Sequence, residues 1–369
     1  MIERISLTDF KCFLGKTDFP VSQFNVLYGM NGRGKSTLLQ ALLLFAQSIK
    51  EKNSISKLLL KGSLVNLGTF KDVVNSYSGA MHFGIQIKDK KDSISATYGE
   101  DNNPTFAELT ELTDGNNTFF SENSTSSSNN DSESKRTAGV IDKSTFPLLD
   151  TLEHIKYVSA ERLGPREFME RKPIENDALG VQGENSFQII EAQGVSFAED
   201  IRAYLDEVLG GASLRYQTSN DKSIIQLYLD SVSKTKGFKP INVGFGYSYI
   251  LPILIAFLLA HEEDVLIIEN PEAHLHPAAQ SRLAALMLRI ANEKKLQLFV
   301  ETHSDHVVNG LRIGVKNGNI DCRDVNILHF VMRNASSSFE QIKMDAQGNL
   351  SSFPEDFMDE WTKQLIQLV

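Results

Sequence analysis

The stretch Gly29-Met30-Asn31-Gly32-Arg33-Gly34-Lys35-Ser36-Thr37 holds the residues best spaced for chemistry. It follows an apolar run, Phe24–Tyr28, and precedes a helical pattern, Leu38–Leu44. Strand, glycine-rich turn and helix in that order read as a phosphate-binding loop. Glycines let the main chain wrap an anion with its N–H groups, and the helix N-terminus adds a favourable dipole. Asn31, Gly32, Gly34, Lys35, Ser36 and Thr37 are the candidate ligands. Lys35 reaches the β- and γ-phosphates, and Ser36 gives a hydroxyl to Mg2+. An ordinary glycine turn capping a core helix would leave Lys35 unexplained.

A second constellation lies far downstream. The apolar run Val265–Ile268 ends in Glu269, Asn270, Pro271 and Glu272. A buried strand that delivers a carboxylate at its C-terminal edge can hold Mg2+ beside a bound triphosphate. Glu269 is the candidate for that role, through a water. His274 and His276 stand two apart, which is no ligand set for a transition metal, and Pro277 starts the next helix. Another apolar strand, Leu298–Val300, leads to Glu301-Thr302-His303-Ser304. His303 is placed to hydrogen-bond a γ-phosphate or the attacking water. Ser304 or Asp305 caps the helix that follows. Gly244, Gly246 and Ser248 precede a strongly apolar helix and form either a second anion-binding end or a tight turn into the core. If a second copy of the chain donates them, each triphosphate is sandwiched between two subunits.

These residues need strands to carry them and helices to follow. Residues 1–48 read as two strands and the loop-helix unit. The segments Met81–Ile87 and Ser93–Tyr98 alternate like antiparallel strands. From Thr113 to Arg136 the chain turns into Asn, Ser, Asp and Glu, too polar to offset its ordering entropy by burial, so a mobile surface insertion is expected. A strand at His154–Val158, a helix near 186–208 and a hairpin around Leu214–Leu229 follow. Helices at 248–261, 277–293 and 304–315 then alternate with strands at Val265–Ile268, Leu296–Val300 and Val325–Val331. Such alternation argues for a mostly parallel sheet covered by helices.

Bulk properties bound the rest. The chain has 369 residues, is 41% hydrophobic and 23% charged, and carries a formal charge of -10. That charge argues against indiscriminate nucleic-acid binding over the whole surface but leaves room for a local basic groove. No apolar run reaches membrane-span length, and no signal-peptide pattern opens the chain. Cys12 and Cys322 make no disulfide framework, so a reducing, cytoplasmic compartment is expected.

Taken together, the motifs resemble those of ATP-binding-cassette (ABC) ATPases of the SMC/RecF/overcoming-lysogenization-defect type. The opening Ile5–Phe13, the loop Gly29–Thr37, the run Ile267–Pro277 and Glu301–Ser304 carry the likeness. More narrowly, the chain resembles a subgroup with a short C-terminal domain of unknown function. Leu67–Asp72, Ser159–Arg166, Val243–Pro252, Asp345–Leu350 and Phe353-Pro354 match that subgroup. The resemblance implies an α/β ABC-ATPase head: a mostly parallel sheet flanked by helices, an antiparallel β subdomain and a small α/β insertion lobe. It implies ATP with Mg2+ as ligands and head-to-tail pairing, in which Gly244–Ser248 completes the partner's site. It places Lys11 near the phosphates, makes His303 the switch histidine, and puts Asn66–Phe70 in the segment joining core to arm lobe. The implied organisation has the N-terminal half of the head at 1–100, a polar disordered insertion at 101–150, and a lobe leading to the signature at 151–240. The C-terminal half of the head is then 241–333, and a small extension 334–369.

Two departures bear on activity. Gly244 stands where the family's signature usually has serine. Asn270 stands where the water-activating acid usually follows the magnesium carboxylate. An amide cannot accept a proton, so hydrolysis is expected to be slow unless Glu272 or His303 substitutes. The residues after Val331 hold no acidic constellation or heptads, so nuclease chemistry is expected from a partner. The leading expectation is a nucleotide-driven dimer acting as a switch in anti-phage defence with a nuclease or toxin, and with DNA as a further possible partner. The alternatives are a RecF-like repair or recombination ATPase and a nucleotide-stabilised scaffold with negligible hydrolysis.

Overall fold

The computed structural model describes residues 1–114, 117–121, 146–172, 179–230, 237–333 and 336–368. The chain begins with strands β1 (Ile2–Phe10), β2 (Phe13–Pro20) and β3 (Phe24–Gly29), helix α1 (Lys35–Lys52), strand β4 (Lys57–Leu59) and helix α2 (Phe70–Val73). Next come β5 (His82–Asp89), β6 (Ser93–Glu100), β7 (Phe106–Thr113) and β8 (Thr118–Ser121). Helix α3 (Leu148–Glu153) leads to β9 (Lys156–Val158) and β10 (Met169–Glu170). Helices α4 (Ser186–Gln193) and α5 (Val195–Leu209) precede β11 (Ser213–Thr218) and β12 (Ile224–Asp230). Then follow α6 (Phe245–Leu259), β13 (Val265–Glu269), α7 (Pro277–Glu293), β14 (Gln297–Thr302) and α8 (Asp305–Lys316). Strands β15 (Val325–Arg333) and β16 (Ser336–Ile342) and helix α9 (Glu360–Gln367) complete the order.

The chain divides into two compact units. The first comprises Met1–Ile155, Asn326–Ile342 and Pro354–Val369. Its larger sheet is antiparallel, in the order β2-β1-β5-β6-β7-β4, with β8 on β7. In β5 and β6 the residues facing the core alternate with half-buried ones, as the two-residue period of a pleated strand requires. Phe10, Phe70 and Tyr98 pack around Phe83 on that buried side. A smaller set of strands runs β16-β15-β3. All six residues of β3 are buried, which fits its mostly apolar run, and the polar Asn25 within it is paired with the main chain of Ser22.

The second unit comprises Lys156–Val325 and Lys343–Phe353. Strands β14, β13 and β9 pair in parallel, with Ile267 opposite both Phe299 and Tyr157. A smaller antiparallel sheet has the order β10-β12-β11. The single helix expected near 186–208 is two. Gly194, at φ 86°, ends α4 and starts α5, a conformation that glycine adopts without Cβ strain. The segment expected as an insertion, 101–150, opens with β7 and closes with α3. Residues 122–145 lie outside the described residues, and with them most of the polar stretch 113–136. No helix among the described residues is long and apolar enough to cross a membrane.

Candidate functional site

In the first unit the phosphate-loop sequence turns from β3 into α1. Its positive-φ positions all fall on glycine: Gly29 at 139°, Gly32 at 74° and Gly34 at 102°. Two of them are also close approaches. A Cβ on Gly29 would lie 2.5 Å from the Phe330 carbonyl oxygen, and one on Gly34 would lie 2.7 Å from the Phe13 ring. Asn31 and Gly32 are exposed at the crest, Ser36 is half-buried, and Lys35 and Thr37 are buried at the base. Lys35 Nζ donates to the carbonyl oxygens of Gly29 (2.8 Å) and Met30 (2.9 Å). The ammonium is thus held at the foot of the turn by the turn's own main chain.

Lys11 sits on the same unit at φ 50°, between β1 and β2, and its Nζ donates to Gln40 Oε1 of α1 at 2.7 Å. Burial lowers its pKa, with Cys12 and Asp72 opposing that shift. The Thr37 hydroxyl lies 3.5 Å from Cys12 Sγ and so turns toward the β1–β2 connection. Beside the loop is a cavity of about 260 Å³, lined by Met30 and Arg33 together with His329, Arg333, Glu340 and Asp356. The donor set of this unit fits a nucleotide phosphate and Mg2+: a lysine ammonium, a hydroxyl at the first turn of a helix, and glycines in the conformations that aim main-chain N–H groups at an anion.

In the second unit β13 ends at Glu269, as its apolar run predicts. Glu269 Oε2 accepts from the Tyr157 hydroxyl (2.9 Å) and from the Ala160 amide (3.2 Å), so the carboxylate is oriented from β9 and the turn after it. Burial, and then the charge of Glu269, push the Tyr157 phenol well above its ordinary pKa, which keeps it a donor. Asn270 follows at φ 45°, and its amide donates to the Glu301 carbonyl at 2.8 Å. Glu272 Oε1 accepts from the His303 amide at 2.9 Å. The turn after β13 and the turn after β14 are therefore joined through two candidate catalytic residues, Glu272 and His303. Glu272 Oε2 is buried and has no hydrogen-bond partner among the described residues. The His303 side chain is exposed, and Ser304 caps α8 by accepting from His306 and Val307. His276 caps α7 by accepting from Ala278, with Pro277 at the first helical position.

The glycine segment lies in this unit as well. Gly244 is the exposed N-cap of α6, without a side-chain cap. A Cβ on Gly246 would lie 2.8 Å from the His274 carbonyl oxygen, so this glycine is required by close approach. Ser248 is half-buried in the first turn. The sequence assigns no role to Tyr157 or Arg162, although Arg162 falls within Ser159–Arg166, one of the stretches that carry the resemblance. Arg162 is 4% exposed and donates to the carbonyls of Ser159, Glu269 and Asn270. A lone arginine more than a hundred positions before Glu269 has no local pattern to announce that role.

Residues 24–309 match the family described as "AAA domain, putative AbiEii toxin, Type IV TA system". Residues 317–368 match a protein family of unknown function, DUF3696. No curated protein matches the chain. Among solved structures, the SMC head bound to the C-winged helix domain of ScpA is similar, with 15% identity and a TM-score of 0.53 over 93% of this chain and 97% of that one. The SMC head with an extended coiled coil bound to the C-terminal domain of ScpA, derived from Pyrococcus furiosus, has 13% identity and a TM-score of 0.50 over 100% of this chain and 99% of that one. At such identities the likeness speaks to the fold. The chain belongs to that AAA-domain family, carries a DUF3696 region over residues 317–368, and has the fold of an SMC head domain.

Proposed function

We propose that the chain binds ATP with Mg2+, hydrolyses it slowly, and uses the bound nucleotide to pair two copies head to tail. The observation that carries this reading is Lys35, held by the Gly29 and Met30 carbonyls at the base of a turn whose positive-φ residues are all glycine. Lys35 and the loop, with Asn31, Gly32, Gly34 and Thr37, take the phosphates, Lys11 adds positive charge, and Ser36 takes the metal. Glu269 would hold the metal through water, and Mg2+ would supply charge neutralisation on the phosphates. Gly244, Gly246 and Ser248 of the second copy complete the site.

Asn270 cannot take a proton, so Glu272 is the base for the attacking water, with His303 beside it. The switch acts in defence against phage or mobile DNA, together with a nuclease or toxin. The family's toxin–antitoxin description supports that context. DNA is a further partner for the closed heads. A second reading rests on Asn270 itself: a nucleotide-stabilised scaffold that scarcely hydrolyses ATP.

The test is the mass of the full chain in solution, with and without magnesium–ATP, beside its ATP turnover. Nucleotide-dependent doubling of mass that Lys35→Met abolishes is the expected result. A mass indifferent to nucleotide overturns the pairing, and pairing without turnover leaves the scaffold.

A further inference from the structure

Three buried side-chain polar atoms around one turn of the second unit lack hydrogen-bond partners among the described residues: Arg162 Nε, Asn270 Oδ1 and Glu272 Oε2. Folded proteins leave few such atoms, and a group of three on neighbouring residues calls for a role. Arg162 is the centre of the group. Its Nη1 donates to the carbonyls of Ser159 (3.0 Å) and Glu269 (2.7 Å), and its Nη2 to that of Asn270 (2.5 Å). No salt bridge neutralises the guanidinium among the described residues, and Glu272 is its foremost charged neighbour. Burial pulls its pKa down to about 10, which still leaves it charged at neutral pH.

The same guanidinium lies 5.7 Å from the ring centroid of Tyr249, in α6. The Tyr249 ring stands 4.3 Å from that of His274. Gly246 in turn packs so near the His274 carbonyl that a Cβ there would come within 2.8 Å of its oxygen. A line of contacts therefore runs from Gly246 through His274, Tyr249 and Arg162 to the turn Glu269–Glu272.

We propose that Arg162 is a positioning residue, which fixes the turn carrying Asn270 and Glu272 in the shape needed to activate water and ties that turn to the glycine segment opening α6. The role rests on the ATPase reading above. Asn270 at φ 45° lies in a conformation less open to asparagine than to glycine, and the Arg162 and Glu301 hydrogen bonds to its main chain help to keep it there. A planar fork can bridge three carbonyls, whereas a lysine ammonium offers a point charge on a flexible stem. The chemistry stays with Glu272, which takes the proton of the water whose oxygen bonds to the γ-phosphorus, while ADP leaves with the bridging electron pair.

The test uses the full chain and two variants, Arg162→Lys and Tyr249→Leu, with kcat and magnesium–ATP affinity measured side by side. Arg162→Lys is expected to lower kcat by about 10- to 100-fold, the scale of a small misplacement of a catalytic group, while affinity stays within about twofold. Tyr249→Leu, which removes the ring face against the guanidinium, is expected to lose several-fold in kcat, and wild-type kcat there overturns the tie to α6. Arg162→Lys with wild-type kcat overturns the role, as does a parallel loss of affinity and thermal stability. Wild type without turnover overturns the ATPase reading, and this is read before any variant is made.

Discussion

The turn after β3 and the turn after β13 leave the ends of buried strands, one in each unit, and they are kept in shape by different means. In the first, every positive φ falls on a glycine, at positions 29, 32 and 34. In the second, positive φ falls on Asn270 (45°) and His274 (62°). Glycine meets such a conformation without steric cost, so the first turn carries its shape in its residue types. Asparagine and histidine enter that region more readily than other non-glycine residues but less freely than glycine, at a cost of up to about 1 kcal/mol that their neighbours offset. Arg162, Tyr249 and the Glu301 carbonyl are what hold the second turn. The first turn thus carries its shape in its own residue types, whereas the second depends on groups brought to it by other segments.

Substitutions can break this contrast. The largest effect is expected from Glu272→Gln, which removes the proton acceptor: kcat should fall by about 10²- to 10⁴-fold with nucleotide affinity retained. Unchanged trace turnover would favour the scaffold reading instead. Next come the two turns compared on stability. Gly29→Ala forces a Cβ to 2.5 Å from the Phe330 carbonyl. It should cost roughly 2–4 kcal/mol, seen as a lower unfolding temperature. Asn270→Gly meets no such clash and should stay within about 1 kcal/mol of wild type. If both variants behave alike, the contrast between the turns is wrong.

Much of this was legible in the sequence, and what was not had physical causes. The loop could be read because glycine spacing reports backbone conformation directly, and Glu269 because a buried strand ending in an acid is a local pattern. The roles of Arg162 and Tyr157 could not, even though Ser159–Arg166 stood out as a motif, since their partners are main-chain carbonyls and a carboxylate brought to them by strand pairing of β9 with β13. The break at Gly194 was a usable signal that apolar periodicity on both sides concealed. Strand β7 alternates along Phe106–Thr113, but the polar tract beginning beside it drew the whole of 101–150 into one expected insertion.

Two smaller effects sharpen the comparison. Tyr157→Phe removes the hydroxyl that orients Glu269 and should raise the Mg2+ concentration for half-maximal turnover by roughly tenfold, the usual scale for a partner of a metal ligand. In the first unit His329 is buried against Tyr28 and Phe357, with Nδ1 lacking a hydrogen-bond partner among the described residues. Burial lowers its pKa, against the pull of Glu340, Asp356 and Asp359. The unfolded chain then takes up the proton at higher pH than the native one. Stability therefore falls as pH drops through the unfolded value and levels off below the native value. His329→Phe should shrink the loss in unfolding temperature between about pH 7.5 and pH 5.5, and an unaltered loss would show that the imidazole does not contribute.

Equilibrium titration of magnesium–ATP onto the full chain, wild type beside Lys35→Met, reaches the central claim most directly. Saturable binding by the wild type is predicted, weakened about 10- to 100-fold in the variant by loss of charge-assisted hydrogen bonds worth roughly 1.5–3 kcal/mol. Equal binding by the two proteins, or none by the wild type, would contradict the account.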